Sequence, residues 1–347
     1  MSSVTARLSI VIPCYKVEQY LRRCLDSLLA QSLEGLELVC VNDGSPDKCL
    51  EILQEYKSNN PDKIIIIDQE NRGVWRARRA GIEAATGEYI GFIDPDDYVL
   101  PGYAETLYNA AKNENADIAC CGFDRVDADS GKTYSTEMTS FPYDSFDIRE
   151  EPGLMLEVNA AIWNKIFRAP VVKGMGEIET IPRALDDMIF AQLIYMNANR
   201  ITFVKESLIR YMVRRDSIIK TTDETRIPSL YQAMCEVRDL WMNECPELLQ
   251  YLDGAAFLHL GISLMHQISG GGRKVLKPAY VKNKEFLDKE FPDWRRCPYI
   301  KLSYVNGHKG ANRKVHFVRA VYSMGMAVPF LLIYNSMITR TGVDVKW

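Results

Sequence analysis

Apolar positions in the first hundred residues switch repeatedly between two spacings. Leu8-Ser-Ile-Val-Ile-Pro-Cys-Tyr15 is a nearly continuous apolar run, ended by Pro13, and reads as a buried strand. From Glu18 to Gln31 the apolar residues fall at 21, 25, 28 and 29, one face of a helix. Leu36 to Asp43 is a second strand, after which Gly44-Ser45-Pro46-Asp47 predicts a helix capped by Ser45 and running to about Lys57. Lys63 to Asp68 carries four consecutive isoleucines, a third strand. A helix from about Val74 to Ala85 is expected to stop at Gly87 as its C′ residue. Glu88-Tyr-Ile-Gly-Phe-Ile93 is the fourth strand. Four alternations of strand and helix predict an α/β fold with a mostly parallel central sheet flanked by helices.

The rhythm then loosens. Another helix follows Pro101-Gly102, and a strand covers Ala116 to Asp127 before a turn at Asp129-Ser130-Gly131. Trp163-Asn-Lys-Ile-Phe167 is a short apolar segment. Asp186 to Ala198 reads as a helix, with apolar positions 189, 190, 193 and 194, and Ile201 to Val213 as a strand. From about Ile227 the pattern is helical and aromatic-rich, broken by Gly270-Gly271-Gly272. A boundary near residue 222 therefore divides a first domain, 1–222, from a helical C-terminal region, 223–347.

Composition removes some classes of function. A chain of 347 residues that is 47% hydrophobic and 25% charged is an ordered globular protein. Its net charge of −4, with no long basic block in the first two thirds, disfavours nucleic acid as a partner. The nine cysteines include no C-x-x-C pair, and Cys24, Cys40 and Cys120 sit inside apolar patterns. They are expected to be reduced core thiols of a cytoplasmic protein. Met-Ser-Ser-Val-Thr-Ala-Arg has no apolar core of a secretory signal.

Candidate chemistry sits where the fourth strand ends, in Asp94-Pro-Asp-Asp97. Three carboxylates within four residues repel one another, so something must offset them. One reading is a solvated turn in which Asp96 or Asp97 caps the next helix. The other is a divalent cation, Mn²⁺ or Mg²⁺, held by Asp94 and Asp96, which point the same way if the chain stays extended. In parallel sheets ligands bind beyond the carboxyl ends of the strands, and Asp43, Asp68 and Asp94 all lie at such ends. The natural ligand for an ion there is a diphosphate, whose charge grows as it leaves. The chain has no G-x-x-x-x-G-K-[ST], no G-x-G-x-x-G after its first strand and no G-x-S-x-G. These absences favour a nucleotide-diphosphate sugar, gripped through Asp43 and strand-end backbone.

Ile10-Val-Ile-Pro-Cys-Tyr15, Val41-Asn-Asp-Gly-Ser45, Asn71-Arg-Gly73 with Ala77-Arg78, and Gly87 through Asp97 occur in an order that resembles family 2 glycosyltransferases of the GT-A fold. Weaker likeness continues through Trp163-Asn-Lys165, Leu185-Asp-Asp-Met-Ile-Phe190 and Tyr211-Met-Val-Arg-Arg-Asp-Ser-Ile218. The resemblance implies a Rossmann-like catalytic domain over 1–222, a nucleotide-sugar donor with a UDP sugar favoured, a divalent metal and an inverting transfer. It also implies roles for residues. Asp43 would hydrogen-bond the nucleobase with Arg78 close by, and Pro13 and Tyr15 would line the base pocket. Asp94 and Asp96 would hold metal and ribose-diphosphate, Asp96 more directly. Asp187 would be the general base that takes the acceptor hydroxyl's proton, and Arg214 and Ser217 would touch the diphosphate. Capping of the following helix is the plainer reading of Asp186-Asp187 and is compatible with the base role. Trp163 is expected to pack, and Lys165 to meet acceptor or phosphate or else form a surface salt bridge. Lys16, Trp75, Arg79 and Asp186 depart from the family pattern, the middle two near the donor pocket.

Two rival functions remain at this stage: a non-catalytic nucleotide-sugar scaffold of an assembly complex, and a nucleotidyltransferase. The second needs a basic phosphate loop soon after the first strand, and Cys14-Tyr-Lys-Val-Glu18 is a poor one. Ala320 to Thr339 carries no charge and is flanked by Arg313, Lys314, Arg319 and Arg340. Three placements stay open for it: in a bilayer interface, buried against protein, or spanning. The first suits peripheral contact through residues 315–340 at the inner face of the plasma membrane and a glycan or polyprenyl-linked acceptor.

Overall fold

The structure, a computed structural model, describes residues 6–214, 224–309 and 313–341. By compactness it forms two units. The first gathers Met1–Asp147, Ala160–Met175 and Leu193–Arg215; the second gathers Ile148–Asn159, Gly176–Gln192 and Asp216–Trp347. Two excursions, 148–159 and 176–192, interrupt the first block and join the helical unit. Local pattern cannot show this, because it depends on partners distant in the chain.

The first unit begins with β1 (Leu8–Cys14), α1 (Glu18–Leu29), β2 (Leu36–Asp43), α2 (Cys49–Asn59), β3 (Ile64–Gln69), α3 (Val74–Ala84) and β4 (Tyr89–Phe92). It continues through β5 (Tyr98–Val99), α4 (Tyr103–Asn113), β6 (Ile118–Asp127), β7 (Thr133–Glu137), β8 (Ser145–Asp147), β9 (Lys165–Arg168) and α5 (Ala169–Lys173). α6 (Asp186–Tyr195) precedes β10 (Arg200–Val213), which completes the sheet. The order is β3-β2-β1-β4-β9-β6-β10-β5, with β7 on β6 and β8 on β10. The pairs β3/β2, β2/β1, β1/β4 and β6/β10 are parallel, and β9 enters antiparallel between β4 and β6. The mostly parallel α/β sheet expected from the sequence is thus present.

Each expected element of the first hundred residues forms, for the reasons its pattern gave. In α1 the buried side chains are Leu21, Cys24, Leu25 and Leu28, packed with Ile10, Ile12 and Leu38 of the sheet. Pro13 costs β1 no ladder bond. Val11 turns its carbonyl to the β4 side, where Ile93 donates to it at 3.2 Å, and Pro13 shares that side one step beyond the last β1/β4 pair, Val11–Phe92.

Two local expectations change. Ser45 does not cap α2, which starts only at Cys49; Asp47 Oδ1 accepts from Cys49 N at 3.1 Å, and Ser45 is drawn instead to the neighbouring loop. Gly87 is not a left-handed C′ residue, since α3 ends in extended backbone at Ala85. A Cβ at Gly87 would stand 2.6 Å from Ser9 N, so glycine is required there for close approach to β1.

The second unit contains α7 (Ile227–Glu244), α8 (Leu249–Ala256), a wide π turn over Phe257–Leu264, α9 (Met265–Ser269) and α10 (Arg273–Glu290). After them come α11 (Leu302–Gly307), α12 (Arg313–Ser323) and α13 (Ala327–Thr341). Buried aromatic pairs hold it, among them Phe257 stacked on Trp294 with centroids 4.6 Å apart. Pro246–Ser269 is long and apolar enough to cross a membrane, but 72% of it is buried within the protein. The uncharged 320–339 segment is not one helix: α12 ends at Ser323, Gly325 takes φ +73°, and α13 begins at Ala327. A 20-residue span is therefore replaced by a helical hairpin.

Candidate functional site

The carboxyl ends of β1, β2, β4 and β10 carry the proposed donor residues except Arg78, which lies within α3, and a chain of contacts runs from Asp43 to Arg214. Asp43, the last residue of β2, is buried. Its Oδ1 accepts from Gln69 Nε2 at 2.7 Å and Arg72 N at 2.9 Å, and its Oδ2 accepts from Gly73 N at 2.8 Å. A carboxylate has about four acceptor positions, so three are filled by protein. Gly73 has φ +85° and precedes the first turn of α3, so Asp43 sets where that helix starts. One and a half turns on, Arg78 Nη2 reaches Asp94 Oδ1 at 3.3 Å.

Asp94 to Asp97 is not extended. Asp97 N donates to Asp94 O at 3.0 Å, making a tight turn, so the expectation that the first two acids point together along a strand is corrected. The turn sends its three carboxylates to different partners. Asp94 takes Arg78; Asp96 Oδ2 meets Arg214 Nη2 at 2.7 Å; Asp97 Oδ1 accepts from the backbone N–H of Met212 at 2.7 Å. The charges of Asp94 and Asp96 are thus offset by two arginines, while burial favours the uncharged form of Asp97. Asp97 is almost wholly buried, and that burial, reinforced by the charges of Asp96 and Asp94, pushes its carboxyl well above the usual range despite the Met212 bond. Arg214 also lies over the ring of Tyr20 at 4.9 Å, and Arg23 donates to the Asp96 carbonyl at 2.9 Å. Ser217 lies outside the described residues.

The rim beside β1 is pinned from below. Lys16 N donates to Ser45 Oγ at 2.7 Å, Glu18 N to Asp47 Oδ2 at 3.0 Å, and Lys48 N to Glu18 Oε2 at 2.8 Å. Desolvation acts against the Asp47 charge, but hydrogen bonds from Cys49, Ser45 and Glu18 hold its carboxyl at about 2. These reciprocal bonds fasten the loop after β1 to the loop after β2. Pro13 is buried in the strand and Tyr15 stands 42% exposed at the rim, where a planar ring could stack.

Two buried oxygens at these strand ends, Asn42 Oδ1 and Asp97 Oδ2, have no protein partner. Unmet polar atoms in a buried site are what a polar ligand or water would satisfy. For a divalent cation, Asp94 and Asp96 supply the right donors, two hard oxygens with partly exposed side chains. Mg²⁺ and Mn²⁺ commonly take one or two carboxylates and complete their shells from phosphate and water. Among the described residues no cluster of three His, Cys, Asp or Glu side chains is placed to hold a metal. The residues therefore fit a site completed by the substrate, not a protein cage.

The remaining candidates are placed as follows. Asp187 lies in the first turn of α6, two residues after Leu185 at φ +50°. A bulky residue in that region marks local strain. Trp163 packs as expected, stacked on Tyr211 with centroids 5.0 Å apart and edge-on to Phe123. Lys165 forms no surface salt bridge. It is buried, with Nζ donating to Ala161 O at 2.6 Å and Asn164 Oδ1 at 2.8 Å, because β9 carries it into the middle of the sheet. Asp68 accepts from Asn42 Nδ2 at 2.7 Å, a structural role. The sequence reading missed Gln69, Arg23 and the Met212 backbone. Of these only Gln69 left a signal: it ends β3 directly beside Asp43.

Comparison with known proteins agrees with this geometry. A sequence model described as glycosyl transferase family 2 matches residues 9–170. EpsH of Bacillus subtilis, named a glycosyltransferase, is 30% identical over 284 residues, covering 78% of this chain and 80% of its own. The poly(ribitol-phosphate) beta-glucosyltransferase of Bacillus spizizenii is 31% identical over 218 residues, which are 60% of this chain and 33% of that enzyme. Among solved structures, residues 1–349 of S. aureus TarS with UDP-GlcNAc superpose with a TM-score of 0.67 at 18% identity, over 98% of this chain and 93% of that one. That likeness establishes the α/β fold with its C-terminal helices. Family match, relatives and fold agree, and the chain belongs to glycosyl transferase family 2, a glycosyltransferase built on the GT-A fold.

Proposed function

We propose that this enzyme transfers a sugar, with inversion, from a nucleotide-diphosphate donor to a hydroxyl of a growing cell-surface glycan, carried in some cases on a lipid. The observation that carries the reading is the tie from Asp43 through α3 and Arg78 to the Asp94–Asp97 turn and Arg214. It lines one row of strand ends with a buried carboxylate, two partly exposed ones and two guanidinium groups. Such a row suits a nucleoside diphosphate. Asp43 has one acceptor position left for a base N–H, Tyr15 offers a ring face, and the arginines meet phosphate oxygens. A UDP sugar is favoured, supported by the UDP-GlcNAc complex of TarS.

Asp94 and Asp96, with Asp96 the more direct, would hold Mn²⁺ or Mg²⁺. A bound cation would neutralise the charge that develops on the leaving diphosphate. Arg214 would turn from Asp96 to the phosphates. Asp187 would accept the proton of the acceptor hydroxyl as that oxygen attacks the anomeric carbon, through an oxocarbenium-like transition state. The strained Leu185 before it supports a site whose backbone is held for function. Residues 1–222 are read as the catalytic domain and 223–347 as acceptor- or membrane-associated. The names of relatives that build teichoic acid support a cytoplasmic enzyme at the inner face of the plasma membrane, touching it through residues 315–340.

Calorimetric titration of UDP and GDP, with and without Mn²⁺, tests the donor site. Wild type is expected to bind UDP in a metal-dependent way and Asp96→Ala to lose that dependence. Asp187→Asn is expected to bind UDP normally while turnover falls about 10²- to 10⁴-fold. Failure of both nucleotides to bind folded protein would refute the donor site. Undiminished turnover of the Asn variant would remove Asp187 as base, and binding without any turnover by wild type would favour the scaffold reading.

A further inference from the structure

The C-terminal hairpin combines two properties that are independent of the donor site. The first is charge. Of the 42 Lys and Arg in the chain, eight fall between residues 294 and 343; of the 46 Asp and Glu, none does. That segment therefore carries +8 and the rest of the chain −12. The second is an apolar face turned outward. Phe330, Ile333 and Met337 of α13 follow one another at helical spacing, in line with Met326 just before the helix, and Ile333 is 71% exposed. Met324, in the turn before α13, is 69% exposed, and Phe317 of α12 is exposed too. The Phe317 and Phe330 rings meet edge-on at 5.9 Å, which joins the stripes of the two helices into one continuous surface. The opposite faces, with Val318, Tyr322, Ala327 and Leu331, are buried in the unit, so the outward side chains are not core residues. Contiguous exposed patches of this kind mark interaction sites in soluble proteins.

We propose that this hairpin docks the enzyme on an anionic lipid bilayer. Met324, Met326, Phe317 and Ile333 would enter the acyl boundary, and Lys301, Lys309 and Arg313 would lie against the headgroups. The inference rests on the proposed function, which sets residues 315–340 against a membrane; it adds the side chains that enter, their orientation and the required lipid charge. The charge selects this occupant. A second copy of the same face would bring two basic surfaces together, and a nucleic acid would leave the methionine and isoleucine side chains in water. An anionic bilayer satisfies both halves of the surface.

Flotation of the full-length chain with vesicles, in the absence of donor and acceptor, tests it. Vesicles of phosphatidylcholine with added phosphatidylglycerol are expected to capture the protein at least tenfold better than phosphatidylcholine alone, an advantage that added salt removes. Lys309→Glu with Arg313→Glu is expected to abolish that preference. Each basic side chain near such a surface is worth about fivefold in partition. Met324→Ser with Ile333→Ser is expected to weaken capture by charged vesicles while leaving the salt dependence in place. UDP titration of the same variants monitors folding and separates failure here from failure of the donor site. Equal capture by both vesicles would overturn the proposal, as would unchanged capture of the charge-reversed variant. Conversion of a dimer to a monomer by Met324→Ser with Ile333→Ser would instead make the face an interface between copies. Retention of RNA that depends on Lys309 and Arg313, without vesicle binding, would assign it to nucleic acid.

Discussion

Asp97 shows what a residue type cannot reveal about itself. In the chain it is one of three neighbouring acids; in the fold it alone is buried, bonded to the Met212 N–H and pushed well above the usual carboxylate range. A carboxyl whose folded pKa exceeds its unfolded value, about 4, binds its proton more tightly in the native state. Its contribution to stability is then full below the unfolded pKa and declines as pH rises toward the folded one. Asp97→Asn keeps an oxygen for Met212 and removes the titration. Urea unfolding between pH 4 and 8 is therefore expected to show wild type losing stability relative to the variant as pH rises, by up to about 1.4 kcal/mol per pH unit. A difference that does not change with pH would mean that Asp97 titrates as an exposed acid. Lys16 makes the converse point: a departure from the family's usual Asn, it sits at φ +55°, where Asn is the better-tolerated residue.

At the scale of elements, patterning located the first four strands and three helices but not the short β5, and it misjudged the start of α2 and the end of α3. Gly87 was legible as a glycine with a conformational task. Its real task, letting β4 approach β1, depends on Ser9, 78 positions earlier. Gly87→Ala would place a methyl group 2.6 Å from Ser9 N and 2.7 Å from its Oγ. Backbone must shift to admit it, and the expected cost is about 1–3 kcal/mol, read as a lower midpoint in thermal or urea unfolding. A variant as stable as wild type would show that the two strands can part without loss. β9 is the element least legible beforehand. Its four residues, Lys-Ile-Phe-Arg, gave no sign that they would separate β4 from β6 or bury Lys165.

On the scale of the whole molecule, the second unit recruits segments 148–159 and 176–192 from within the first two hundred residues. Leu156 packs beside Gly254, Gln192 Nε2 donates to Tyr251 Oη at 3.0 Å, and Thr180 Oγ1 donates to Glu236 Oε1 at 2.6 Å. A fragment of residues 1–222 would leave those partners behind and expose apolar surface. It is expected to bind a hydrophobic dye more strongly than the intact chain and to aggregate on size-exclusion chromatography. A monodisperse fragment without dye binding would mean that the excursions are stable without the helical unit.

Over the first four strand–helix alternations the sequence by itself determined the order and kind of elements, because the spacing of apolar residues fixes which face of a local element is buried. It also placed the acids at strand ends, because a parallel alternation brings those ends to one edge. Only the tertiary structure decided which acid is buried, which meets an arginine and which holds a helix start. Those outcomes depend on desolvation and on groups contributed from far along the chain: Gly73 for Asp43, Arg78 for Asp94, Arg214 for Asp96 and Met212 for Asp97. The hairpin divides the same way. The uncharged run 320–339 and its basic flanks were visible in the residues, while the turn at Gly325 and the outward aim of Ile333 came from packing the other faces of its two helices into the unit.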